Sequence, residues 1–169
     1  MLNVFVFAGC LSGAREDSGF DVASQEQGTV LAGEEDVNAS NVKLNEFLAK
    51  SSETADWIEL YNSSNESIDI SGWGLVDDID EDEPWMFPTG SIIVSEGFIL
   101  VWADDGEEGD GFHASFKLST DGETVYLLDP SEVVVDEVNF PSLEEDQSYA
   151  LQSDGEWIVT DQPTPEAHN

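Results

Sequence analysis

Carboxylates dominate the side chains that could do chemistry in this sequence. Asp77-Asp78-Ile79-Asp80-Glu81-Asp82-Glu83 places six of them in seven residues, and Asp104-Asp105-Gly106-Glu107-Glu108-Gly109-Asp110 places five in seven. Hard oxygen donors crowded on loops suit Ca²⁺, which makes Asp77, Asp78, Asp80, Asp82, Asp105 and Asp110 candidate ligands. The spacing Asp78-x-Asp80-x-Asp82 begins like an EF-hand loop. Glu83 stands where that loop turns on glycine, however, and Pro84 follows. The competing reading is a solvated loop whose charges repel one another. If Ca²⁺ binds, the expected affinity is the weak one of extracellular modules, roughly 10⁻⁴–10⁻³ M.

Glu46, Asp56 and Glu59 differ because they fall inside apolar runs. A carboxylate buried there needs a hydrogen-bond partner or a cation. Lys43 and Lys50 are the nearby candidates, and the alternative is a metal site joining Asp56 or Glu59 to Asp77 or Asp78. His113 and His168 are the two histidines. Ser115 and Ser119 stand near His113, but turn chemistry and strand alternation account for both. No Gly-x-Ser-x-Gly elbow, His-x-x-x-His zinc pair or phosphate-binding glycine loop occurs. Nothing singles out a carboxylate pair for hydrolysis. The residues therefore point away from an enzyme. Trp57, Trp73, Trp85, Trp102 and Trp157 could stack sugars or bases, but each sits in an apolar run and is expected to pack in the core. Trp85, which follows the acidic loop, is the expected exception.

The elements that position these groups are bounded by composition. Thirty-eight acids against four bases give a net charge of −34 over 169 residues. Salt screens such repulsion, so a surface adapted to high salt is the first reading of the charge. Nucleic-acid binding draws on Lys and Arg, and beyond residue 40 only Lys43, Lys50 and Lys117 are basic. Direct binding to DNA or RNA is not expected.

The run from Leu2 to Gly9 before Cys10 reads as the remnant of a lipoprotein signal, with lipid on Cys10 and export to the cell envelope, or secretion as the alternative. It is short and lacks a preceding Lys or Arg. Residues 11–40, rich in Ser, Gly, Gln and acids, read as a flexible tether. From Asn41 onward, β-branched and aromatic runs recur between turn residues at the spacing of an all-β sandwich. They are Val42–Phe47, Trp57–Tyr61, Ile68–Ile70, Trp73–Val76, Trp85–Phe87, Ser91–Val94, Phe98–Trp102, Ala114–Leu118, Thr124–Leu128, Val133–Phe140, Ser148–Leu151 and Trp157–Val159.

The order of several fragments resembles the bacterial branch of the lamin-tail domain. These are Val42-x-Leu44-Asn45-Glu46-Phe47, Asp56-Trp57-Ile58-Glu59-Leu60-Tyr61-Asn62, Asp69-Ile70-Ser71-Gly72-Trp73, Phe116-Lys117-Leu118-Ser119 and Gly122-Glu123-Thr124-Val125. The resemblance continues to Trp157 and Thr164-Pro165 and covers residues 41–169. It implies an immunoglobulin-like β-sandwich serving as an accessory or interaction module, with no catalytic residues to carry over. Trp57, Trp73, Trp102 and Gly72 are its expected structural residues. The expected partner is a protein or surface polymer, the expected membrane contact is the lipid anchor alone, and Ca²⁺ is the one candidate cofactor.

Overall fold

The computed structural model describes residues 41–80 and 83–169. The leader with Cys10, the tether, Glu81 and Asp82 lie outside the described residues. Twelve strands run in order through the rest: β1 (Val42–Leu48), β2 (Asp56–Asn62), β3 (Ile68–Asp69), β4 (Gly74–Val76), β5 (Trp85–Met86) and β6 (Ile92–Ile93). They continue with β7 (Phe98–Ala103), β8 (Phe112–Ala114), β9 (Gly122–Leu128), β10 (Val134–Pro141), β11 (Ser148–Leu151) and β12 (Trp157–Thr160).

A six-stranded sheet in the order β12-β11-β1-β2-β7-β8 packs on a four-stranded sheet β10-β9-β4-β5, and β3 pairs with β6 in a small third sheet. All pairings are antiparallel except β7 with β8. Period-two alternation explains which faces meet. Leu44, Phe47, Ile58, Leu60 and Val101 turn from the larger sheet into the core, to meet Leu75, Val125, Leu127 and Phe140 from the smaller one. Phe47 stacks on Phe140 across the gap, with ring centroids 5.3 Å apart. Fully burying a side chain of this size contributes about 1.5–3 kcal/mol, which makes this layer the main source of stability.

Two bulges join the sheets. β1 slips register between Leu44 and Glu46, and β10 slips between Val134 and Asp136. β11 pairs with β1 at Glu46 and Phe47. Next to that pairing, the Leu44 N–H is taken up by Asp136 Oδ2 at 2.9 Å. Burial pushes the Asp136 carboxyl up, while the N–H groups of Leu44 and Glu137 hold it down. Gly72 turns the chain between β3 and β4 at a φ of +75°, where a side chain would be strained. Trp73, beside it, is buried in the core.

The run Ala114–Leu118 is not a strand. Pairing with β7 extends only over Phe112–Ala114, and Gly106 N–H then caps the Ala114 carbonyl. Beyond that point an isolated bridge joins Asp104 to Lys117. The parallel register with β7 takes in Phe112 and not Phe116, and Phe112 meets the rings of Trp85 and Phe87 edge-on.

Candidate functional site

The outer face of the six-stranded sheet carries the most unusual chemistry in the fold. Along β1, simple alternation would put Glu46 on the same face as Val42 and Leu44, inside the sandwich. The bulge resets the phase: Val42, Leu44, Phe47 and Ala49 join the core, and Glu46 and Leu48 turn outward. Glu46 lies opposite Glu59 of β2 in the ladder. Both side chains are nevertheless fully buried, as are Ser148 and Ala150 beside them, while Leu48 and Trp57 are nearly so.

Residues 161–169, a strap with no strand pairing of its own, supply donors to this face. Glu46 accepts from the Thr164 N–H at 3.1–3.2 Å, from Thr164 Oγ1 at 3.2 Å and from Ser148 Oγ at 2.5 Å. Glu59 accepts from Asn45 Nδ2 at 2.7 Å and, through a very short bond, from the Glu166 N–H. Asn169 Nδ2 donates to the Leu151 carbonyl at 3.1 Å and to the Asn45 carbonyl at 3.4 Å. His168 stands edge-on to the rings of Tyr61 and Phe98, which stack on each other. Pro163 and Pro165 line a 360 Å³ depression with Leu48 and Trp57.

Burial pushes the Glu59 carboxyl up to about 7, against the pull of the Glu166 N–H and the Asn45 amide. The Glu46 and Glu166 charges push it further in the same direction. Burial likewise raises Glu46, opposed by Ser148 and Thr164. The partners of these buried acids are hydroxyl and amide donors and not lysines. Lys50 pairs instead with Glu145 at 3.3 Å.

A second cluster lies at the β7–β8 end. Asp104, nearly buried, holds His113 Nδ1 at 2.7 Å, and the hydrogen bond to Asp104 raises the His113 pKa. His113 Nε2 stands 3.4 Å from the Asp110 carbonyl oxygen. Among the described residues no hydroxyl or thiol is a hydrogen-bond partner of His113. Ser119 lies in the turn before β9, where its N–H donates to Glu123 and its hydroxyl accepts from Asp121. Lys117 meets Asp105 at 2.9 Å beside a 290 Å³ depression lined by Asp56, Asp104 and Glu107. Burial raises both Asp56 and Glu123, and the Asp77 and Asp56 charges add to the effect on Glu123.

The proposed metal ligands are thus dispersed. Asp56 and Asp77 each act on the Glu123 carboxyl, Glu59 sits under the strap, and Asp105 is paired with Lys117. Asp78 and Asp80 lie in local turns, with Asp78 N–H on Asp77 Oδ1 and Asp80 N–H on Asp78 Oδ1. Asp110 offers its backbone carbonyl to His113, and Asp82 lies outside the described residues. Among the described residues no group of three or more His, Cys, Asp or Glu is gathered closely enough to hold a metal ion.

The tryptophans divide between the two faces. Trp73 is a core residue, whereas Trp57 is buried on the outer face, opposite the half-buried Trp102 of β7. Trp85 is half-buried against Phe87 and Phe112, and Trp157 against Phe47 and Tyr149. One hub escaped the sequence reading. Asn62, fully buried, donates through Nδ2 to the carbonyls of Glu66, Val94 and Ile93 at 2.7, 3.0 and 3.3 Å, and accepts from Ser64. Its place at the head of the turn cluster Asn62-Ser63-Ser64-Asn65 was the available signal.

No curated protein matches this sequence. The family model of the lamin tail domain, an immunoglobulin-like and generally non-catalytic module, matches residues 36–142. That match spans β1 through β10, and β11 and β12 extend the sheet on which β1 lies. With more than half its length matched and a two-sheet sandwich to go with it, the chain belongs to the lamin tail domain family.

Proposed function

We propose that this protein is a non-enzymatic binding module, exported and held at the cell envelope through lipid on Cys10, that takes up an extended, basic segment of a protein partner along β12. The observation carrying this reading is the character of that strand. β12 ends the six-stranded sheet, so among the described residues one of its edges has no neighbouring strand. Ile158 and Val159 are 40% and 43% exposed, and the strand contains neither Lys nor Pro. Lys and Pro are the residues that blunt such edges against strand addition. Asp154, Glu156 and Asp161 flank the strand. Backbone pairing would supply affinity there, and the acids would select positive charge.

The test is binding of a short peptide of alternating Val and Lys to the full chain, compared with one of alternating Val and Glu. The Lys peptide is expected to bind, and Ile158→Lys is expected to weaken it by about tenfold, roughly 1.4 kcal/mol. One added charge barely alters a surface at −34. Equal binding by the variant would therefore mean diffuse electrostatic attraction and would sink the edge-strand reading. For the anchor, Cys10→Ser is expected to release the protein from membranes, and retention would argue against lipidation.

A further inference from the structure

We propose that the outer face of the six-stranded sheet is a peptide-binding groove, occupied in cis by the strap, and that it takes a proline-containing turn segment of another chain when the strap is displaced. The groove is built on strands: Glu46 from β1, Trp57, Glu59 and Tyr61 from β2, Phe98 from β7 and Ser148 from β11. Ladder pairing holds these strands in register without help from the strap. The strap contributes no strand to any sheet. It is therefore a ligand of the sheet rather than a member of it.

The chemistry of the seat defines what fits. Two buried carboxylates, opposed in the ladder, accept backbone N–H groups from Thr164 and Glu166 and the hydroxyl of Thr164. Removing these donors while keeping the acids buried would leave uncompensated charge, which is costly. An occupant must therefore present N–H groups two residues apart. Pro163 and Pro165 lie toward Leu48 and Trp57, and His168 meets the Tyr61–Phe98 stack. The strap turns at this point: the Ala167 N–H donates to the Thr164 carbonyl at 3.0 Å and Glu166 lies at a φ of +62°, a β-turn for which Pro165 is pre-set. The ligand class is a Pro-Thr-Pro-x peptide that forms this turn with its donors on one side.

The experiment uses the full chain and a fluorescent peptide with the sequence of residues 161–169. In the wild type the strap competes at very high effective concentration, and uptake of the peptide is expected to be weak. Thr164→Pro removes the N–H and the hydroxyl that reach Glu46, and this variant is expected to bind the peptide at least about tenfold more tightly, because the competent open state is more populated. A peptide carrying the same Thr→Pro change is expected not to bind. Glu166→Pro, which removes the donor to Glu59, is the second variant, and tryptophan emission verifies that each is folded. If both folded variants bind the peptide no better than wild type, the groove is not a site for ligands in trans. Equal binding of the altered peptide would show that the label sits elsewhere and would overturn the proposal as well.

Discussion

Replacing Asn62 by Asp changes one atom's chemistry at a fully buried hub. The Nδ2 donor that reaches the carbonyls of Glu66, Val94 and Ile93 becomes an oxygen, so attraction to three acceptors turns into repulsion. A lost hydrogen bond costs about 1 kcal/mol, and an acceptor left buried and unsatisfied costs about 1–3 kcal/mol. The Ile93 carbonyl contact is buried and the other two are partly so. The expected loss for Asn62→Asp is therefore about 3–5 kcal/mol at neutral pH, a large share of the ~5–15 kcal/mol typical of a domain. Asn62→Ala should cost about 3 kcal/mol, since it removes the donor without adding charge. A protonated Asp regains one donor, so its folded-state pKa lies above the unfolded value. The penalty should accordingly shrink as pH falls, while that of Asn62→Ala stays level. Urea unfolding at about pH 7 and about pH 4.5, in about 2 M NaCl to screen the surface charge, reads both numbers. An Asn62→Asp variant within about 1 kcal/mol of wild type at neutral pH would refute the idea that Asn62 holds the turn after β2 against β6.

Glu59 has a folded-state pKa raised to about 7 by burial, so its contribution is fully present below 4.5 and lost as pH rises through about 7. Wild-type stability should thus fall by on the order of 3 kcal/mol across that window relative to Glu59→Gln, as urea titrations would show. His113 is also raised, here by its hydrogen bond to Asp104. His113→Gln should therefore be destabilised most on the acid side, and the gap should narrow as pH climbs past the folded-state value. At Gly122, with a φ of +89°, a Cβ would come within 2.6 Å of the Phe140 carbonyl oxygen and 2.7 Å of the Pro141 carbonyl carbon. Gly122→Ala should cost about 3 kcal/mol in thermal or urea unfolding. Melting scans at a net charge of −34 should show that molar NaCl stabilises the chain, and a further rise with Ca²⁺ at fixed ionic strength, reversed by chelator, would mark a metal site in an acidic loop.

Much of the architecture is local in origin and could be read from the chain alone. Alternation in Trp57-Ile58-Glu59-Leu60-Tyr61, β-branched runs such as Val133-Val134-Val135, and turn signals such as Ser71-Gly72 specify strands and their connections through neighbouring residues. Lamin-tail membership rested on the order of such fragments, and the family match agrees with it. The acids inside apolar runs were recognisable as needing partners, because the cost of burying a charge is independent of the fold. Which partners they find was decided by tertiary structure. Thr164 and Glu166 lie more than a hundred residues along the chain from Glu46 and Glu59, and Ser148 lies almost as far from Glu46. The face on which Glu46 emerges depends on a single extra residue in β1. A bulge at Asn45 inverts every side chain after it, and period-two reasoning has no means of locating the slip until β2 and β11 are in place to register it.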